Sequence, residues 1–198
     1  MDWVKAIEIF ALVSGVAYLV LEILQKNLMW VIGILTGVAC AYSFGIQHVW
    51  ASMGLNVYYV VISVAGLYKW RKDARRLAEE RSSEGKTIHL SRMTPEAAWI
   101  SLLVFVLGTA ALWGLLRLLH GSETLLDAVV TMMSAIATWW LAKSYPQQWL
   151  VWPVADVLSA WLCWRAGIPW MVLLYVAYAA SALYGYAHWM RNGQYLSD

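Results

Sequence analysis

The sequence has little charge, few cysteines and no short motif of soluble enzyme chemistry. Charged residues make up 13% of the 198 positions, about half the share of an ordinary soluble domain, roughly a quarter. The two cysteines, Cys40 and Cys163, lie in apolar runs. They offer neither a metal-ligand spacing nor a disulfide framework and read as small buried hydrophobes. No CxxC, HExxH, GxSxG or phosphate-cradling glycine loop occurs. A net charge of +2 is too small to argue for nucleic acid as a partner. The first apolar run contains Glu8 and Glu22 with no A-x-A site after it, so no cleavable signal peptide is expected.

What is abundant is apolar and aromatic. The chain is 62% hydrophobic and carries fourteen tryptophans, a residue suited to membrane interfaces and stacking sites. A helix needs roughly 20 apolar residues to cross a bilayer core. Seven stretches qualify, near residues 3–24, 28–46, 49–70, 97–119, 125–142, 149–164 and 169–190. The fold expected is an all-α, multi-pass membrane protein with seven transmembrane helices.

From Lys69 to Arg92 the chain holds eight of its fourteen Lys and Arg. Basic residues flanking spans mark the cytoplasmic side. With that loop inside, eleven basic residues fall inside and three outside, which puts the N-terminus out and the C-terminus in. The bland reading of the loop is a solvated linker that also sets topology.

Displaced by 119 residues, the chain matches itself without a gap. Trp30, Tyr59, Gly66 and Trp70 fall on Trp149, Tyr178, Gly185 and Trp189, and Glu8 falls on Asp127. The identity is eight positions in about sixty-five, and the Y-x6-G-x3-W match is its persuasive part. The organisation expected is a 3+1+3 parallel repeat. Residues 1–70 form the first three-helix unit, 71–94 a basic cytoplasmic loop, 95–120 a linking helix and 121–198 the second unit. Parallel repeats are a known transporter plan, with substrate held near the midplane.

The candidate site residues follow from depth and helical spacing. Asp156 lies inside an apolar run, where an ionisable group is costly unless it faces a cavity or a partner. Trp149, Trp152, Asp156 and Ser159 are spaced to share one face. Two indoles and a carboxylate suit a flat cationic ring, by stacking, cation–π attraction and counter-charge. The structural alternative is a helix-helix hydrogen bonder beside a packing stripe. Pro153 loosens the same helix. On the third helix Asn56 and Tyr59 offer hydrogen bonds, with Tyr178 the counterpart of Tyr59. Either function or interhelical packing accounts for them. On the fifth helix Asp127, Thr131, Ser134 and Thr138 form a polar face; Asp127 doubles as a helix cap, and the hydroxyls can bond back to their own helix. Gln147 and Gln148 stand at the inner mouth. Trp70 and Trp189 read as interface anchors, and His48, His89, His120 and His188 as surface histidines. No metal site or cofactor is expected.

Two stretches resemble a known family. Asn56-Val-Tyr-Tyr-Val-Val-Ile-Ser-Val-Ala-Gly-Leu-Tyr-Lys-Trp70 resembles the aromatic third helix of the PnuC-type transporters. Asp127 to Ser134, followed by Gln148-Trp149-Leu-Val-Trp152-Pro-Val-Ala-Asp156-Val-Leu-Ser159, resembles that family's D-x6-S and E-N-W-L-x-W-x3-[ND]-x2-S segments. The departures are Gln147-Gln148 for E-N, Leu67 after the glycine, and Asp156 where some members have Asn. The resemblance implies a SWEET-like bundle, a homotrimer, and facilitated diffusion of nicotinamide riboside without ATP, followed by trapping by a cytoplasmic kinase. It places Trp149, Trp152 and Asp156 on the binding and gating helix. Thiamine is a second cationic aromatic vitamin that fits the same features. An intramembrane enzyme would need paired acids, or a His with a nucleophile, at one depth. A non-transporting membrane sensor is the remaining rival.

Overall fold

The computed structural model describes residues 15–46, 50–79, 86–118, 125–165, 167 and 169–196. Glu8, His48 and His120 lie outside them. Long apolar runs form helices because each backbone polar group is then satisfied within its own segment. The helices are α1 (described over 15–23), α2 (Leu28–Ile46), α3 (Trp50–Glu79), α4 (Pro95–Leu118), α5 (Leu125–Ala142), α6 (Gln148–Arg165) and α7 (Pro169–Asn192). By length and composition alone, α2, α4 and α5 are apolar enough to cross a membrane. Helix α3 carries nine polar-rich residues past Trp70 to Glu79, so it runs on into the stretch expected as loop.

Large apolar side chains point outward on every helix from α2 to α7, among them Leu35, Val61, Leu103, Leu150, Val157 and Leu183. A surface like that is stable in hydrocarbon and a liability in water.

The chain divides into two compact units, Met1–Ile88 and His89–Asp198. In the first, α2 packs on α3; in the second, α4, α5, α6 and α7 pack as successive neighbours. The core of each is a pair of tryptophans. Trp30 meets Trp70 edge-on, with centroids 5.1 Å apart and planes at 78°. Trp149 meets Trp189 at 5.5 Å and 83°. All four are fully buried. Trp70 and Trp189 are therefore core residues, not the interface anchors their helix-end positions suggested. Exposed tryptophans do stand near helix ends, at Trp99 and Trp164.

The 119-residue correspondence extends to the turns. Gln25 and Ser144 both adopt positive φ, 51° and 61°. Around them the backbone bonds match one for one. Gln25 N–H donates to Glu22 O at 3.0 Å and Ser144 N–H to Leu141 O at 2.9 Å; Lys26 N–H donates to Leu21 O at 2.8 Å and Tyr145 N–H to Trp140 O at 3.0 Å. Trp30 and Trp149 N–H then each close a first helical turn, at 3.2 Å, on Asn27 and Pro146 carbonyls. Two segments of low identity thus build the same α-to-α turn.

Two short strands add to the helices. β1 (Ile88–Leu90) pairs with β2 (Gly193–Tyr195), which directly follows α7. Leu196 N–H donates to Leu90 O at 3.1 Å, and Ser91 N–H to Ser144 O at 3.1 Å. His89 Nδ1 lies 3.1 Å from Ser144 Oγ, both groups buried. His89 is therefore not a surface histidine: strand pairing carries it inside. Three chain ends meet here, the start of α4, the α5–α6 turn and the end of α7.

Candidate functional site

Positions 119 residues apart show where the second segment departs from the first. Gly33 and Gly37, four apart on α2, let α3 approach closely. A β-carbon at Gly37 would stand 2.7 Å from Val60 Cγ2, and one at Gly33 3.0 Å from Ser63 Oγ. Their counterparts 119 residues on are Trp152 and Asp156. Val60 and Ser63 are answered by Ala179 and Ala182. The repeats have exchanged large for small across the seam. The first puts its bulk on α3; the second trims α7 and projects an indole and a carboxylate from α6.

Asp156 is buried, on the α6 side of the α6–α7 contact. Its carboxylate lies within electrostatic range of Tyr175 and Tyr178 of α7. Tyr175 also reaches Ser159, one turn beyond Asp156 on α6. The tyrosine rings lie edge-on, 6.4 Å apart. Ser159 Oγ donates to Ala155 O at 2.8 Å. A carboxylate and two phenol groups thus share one seam, and the half-buried Trp152 indole stands one turn before Asp156 on α6. Sequence reasoning picked out Trp152, Asp156, Ser159 and Tyr178 but passed over Tyr175. Its signal was present: Tyr175 is three residues before Tyr178, on the same helix face.

Trp152 is held from behind. Its Nε1–H donates to Gln148 Oε1 at 2.5 Å. Gln148 is fully buried, and among the described residues its Nε2 has no acceptor. The pair fixes the indole plane along α6. Trp149 plays a different part. It packs against Trp189, and a β-carbon on Gly185 would stand 2.6 Å from its ring. Its buried Nε1 has no partner among the described residues, and the same holds for Trp30. Pro153, with no N–H, releases the carbonyl of Trp149 from the α6 ladder.

The remaining candidates stand elsewhere. On α5, Ser134 Oγ donates to Val130 O at 2.9 Å and Thr138 Oγ1 to Ser134 O at 2.8 Å. These hydroxyls are bonded back within their helix. Asp127 is half-buried in the first turn of α5, and Thr131 is half-buried one turn on. Asn56 and Tyr59 belong to the first unit, on α3, where the backbone carbonyl of Asn56 faces Gly37.

Comparison with known proteins bears on this arrangement. Residues 5–191 match the model of the nicotinamide mononucleotide transporter family. A nicotinamide riboside transporter PnuC from Haemophilus influenzae is 29% identical over 134 residues, which cover 67% of this chain and 56% of that protein. The chain therefore spans little more than half the length of that relative. A nicotinamide riboside transporter PnuC from Neisseria mucosa is 25% identical over 198 residues, covering 96% of this chain and 73% of its own. The crystal structure of a vitamin B3 transporter PnuC superposes with a TM-score of 0.65 at 25% identity, covering 91% of this chain and 79% of that one.

Proposed function

The chain belongs to the nicotinamide mononucleotide transporter family, and on that premise we propose that it carries nicotinamide riboside across the membrane. The observation that supports this most directly is the placement of Trp152 and Asp156 where the first repeat has Gly33 and Gly37. The pyridinium of nicotinamide riboside is flat and cationic. An indole face attracts such a ring, and a buried carboxylate supplies the counter-charge. Tyr175 and Tyr178 present phenol groups at the same seam, suited to ribose hydroxyls.

In this reading Trp152, Asp156, Tyr175 and Tyr178 contact substrate. Gln148 positions Trp152, and Trp149 anchors α6 beneath them. Asp127, Thr131 and Ser134 line the approach along α5, and Asn56 and Tyr59 are substrate-binding candidates on α3 of the first unit. Transport is alternating access without ATP, with the two three-helix repeats moving about the midplane and α4 as the link. The protein sits in the cytoplasmic membrane as a homotrimer, N-terminus outside and C-terminus inside. The meeting of β1, the α5–α6 turn and β2 supports one shared side for these segments, and the basic excess on that side supports its being the inside.

Thermal stabilisation of the detergent-purified protein tests the assignment, since a ligand that binds only the folded state raises stability by mass action. Nicotinamide riboside is expected to raise the melting temperature, and thiamine, riboflavin and simple sugars to leave it unchanged. A shift with thiamine alone would keep the mechanism and change the vitamin. A shift with nicotinamide riboside but no flux in liposomes would make the protein a sensor.

A further inference from the structure

A groove of about 280 Å³ opens on the second unit between α4, α5 and α6. Ala98, Ser101, Phe105, Ile136, Trp140 and Val151 line it. Its two polar side chains are spent on each other. Trp140 Nε1–H donates to Ser101 Oγ at 2.9 Å, and Ser101 Oγ donates to Ala97 O at 2.6 Å. The groove therefore offers hydrocarbon contact and no free hydrogen-bonding side chain. A polar vitamin gains nothing there; an acyl chain loses nothing.

Its end nearest the strands is marked by charge. Trp140 on the groove wall is three residues, one helical turn, before Lys143. Ala98 is three residues into α4, and Arg92 lies three residues before that helix begins. Arg92 and Lys143 each adjoin a partner in the Ser91–Ser144 backbone bond, so the fold brings these cations to one end of the groove. Both are exposed, and neither forms an ion pair among the described residues. The Arg92 guanidinium is steadied over the Tyr195 ring, 5.5 Å from its centroid. Exposed Trp99, on the first turn of α4, suits the headgroup level.

We propose that this groove binds an anionic phospholipid, with one acyl chain along α4, α5 and α6 and the phosphate held by Arg92 and Lys143. The cytoplasmic leaflet follows from the N-outside topology proposed above; the binding itself does not depend on it, nor on the substrate. The bound lipid would tie the start of α4 to the α5–α6 turn, beside the strand pair that joins the same turn to the end of α7.

Native mass spectrometry of the whole protein in mild detergent, with phosphatidylglycerol and phosphatidylcholine of equal chain length, tests this. The wild type is expected to retain phosphatidylglycerol about thirtyfold over phosphatidylcholine, the scale set by two cations near an anionic surface. R92Q/K143Q is expected to bring the ratio near one, with a cooperative melt at the wild-type temperature as proof of folding. Ile136→Phe and Ala98→Phe, which fill the groove, are expected to lower retention of both lipids. R165Q, at the far end of α6, is expected to change neither. Equal phosphatidylglycerol retention by wild type and R92Q/K143Q would overturn the proposal, as would full retention in both groove-filling variants that still melt cooperatively. A Leu102→Cys variant that forms a disulfide between copies in membranes would also overturn it, by showing a second copy over the groove. If the groove-filling variants fail to fold, the surface pair Arg92 and Lys143 still decides the question.

Discussion

Trp149 lies flat against Gly185, and 119 residues earlier Trp30 lies against Gly66 in the same way. A β-carbon on either glycine would stand 2.6 Å from the indole above it. Each tryptophan is then met edge-on by another, Trp189 or Trp70, one turn past the glycine. No flexible side-chain end can give way here. An added methyl group must displace a fully buried ring that a second indole already meets edge-on.

Gly66→Ala and Gly185→Ala are accordingly expected each to destabilise the protein by about 1–3 kcal/mol, the usual cost of overpacking. Gly54→Ala is the control, because nothing stands within 4 Å of a β-carbon there. It is expected to be neutral or slightly stabilising, since alanine favours helix over glycine. Thermal melts in detergent read all three. A Gly185→Ala protein that melts with the wild type would mean that Trp149 does not occupy this site in the folded ensemble.

The helices were legible in the sequence because the bilayer sets their length. The spans expected at 28–46 and 125–142 match α2 and α5, and the Trp, Gly and Tyr matches pointed to a 119-residue offset at which two turns share their backbone bonds. Other features were hidden for identifiable reasons. Positive φ at Gln25 and Ser144 was not foreseen because neither residue is glycine or asparagine, the usual tenants of that conformation. A three-residue strand is too short for a period-two pattern, so β1 and β2 were missed and His89 was read as a surface residue. Trp70 and Trp189 were read as interface anchors because tryptophan at a helix end commonly is one. Their burial depends on Gly66 and Gly185 admitting a second indole, a tertiary fact. The swap of Gly33 and Gly37 for Trp152 and Asp156 was present in the alignment. It became meaningful only with Val60 and Ser63 set against Ala179 and Ala182.

Asp156→Asn keeps the shape of the seam and removes its charge. Opposite charges about 4 Å apart interact by roughly 4 kcal/mol at an effective dielectric of 20, part of which offsets desolvation. Affinity for nicotinamide riboside is expected to fall at least about tenfold, measured by the ligand-induced thermal shift and by uptake into vesicles. Trp152→Leu removes a cation–π face worth about 0.5–2 kcal/mol and is expected to weaken binding by a smaller factor. Wild-type affinity in Asp156→Asn would move the counter-charge elsewhere.

Gln148→Leu tests positioning rather than contact. Leucine is close in size but leaves Trp152 Nε1–H without the acceptor it has at 2.5 Å. An unsatisfied donor costs about 1–3 kcal/mol when buried, so the indole is expected to turn toward another acceptor. Binding of nicotinamide riboside should weaken several-fold, and Gln148→Glu, which retains an acceptor oxygen, should recover much of it. If Gln148→Leu and Gln148→Glu weaken binding equally, the side chain acts by some route other than accepting from Trp152.

Ser144 joins two costs that substitution separates. Its φ of 61° is strained for any residue with a β-carbon, by about 1–2 kcal/mol. Its hydroxyl meets buried His89 at 3.1 Å. Ser144→Ala keeps the strain and loses the bond; Ser144→Gly loses the bond and relieves the strain. Ser144→Ala is therefore expected to melt below both Ser144→Gly and the wild type. Should the glycine variant melt lowest, the turn would not hold the left-handed conformation in solution.

The strand pair makes topology a stringent test. Arg92 follows β1, Lys143 precedes Ser144, and Arg191 stands two residues before β2. Backbone bonds from Ser91 to Ser144 and from Leu196 to Leu90 bind the three segments together. They must therefore lie on one side of the membrane. On the proposed reading that α4 to α7 each cross, Arg117 and Arg165, at the far ends of α4 and α6, lie together on the other. In a background without Cys40 and Cys163, single cysteines at these five positions can be labelled in intact cells with an impermeant maleimide. Arg117→Cys and Arg165→Cys are expected to react, and Arg92→Cys, Lys143→Cys and Arg191→Cys only after lysis. The opposite pattern would reverse the orientation while leaving the fold untouched. A split within the group of three would be more damaging, because no orientation of four crossing helices separates segments that share backbone hydrogen bonds.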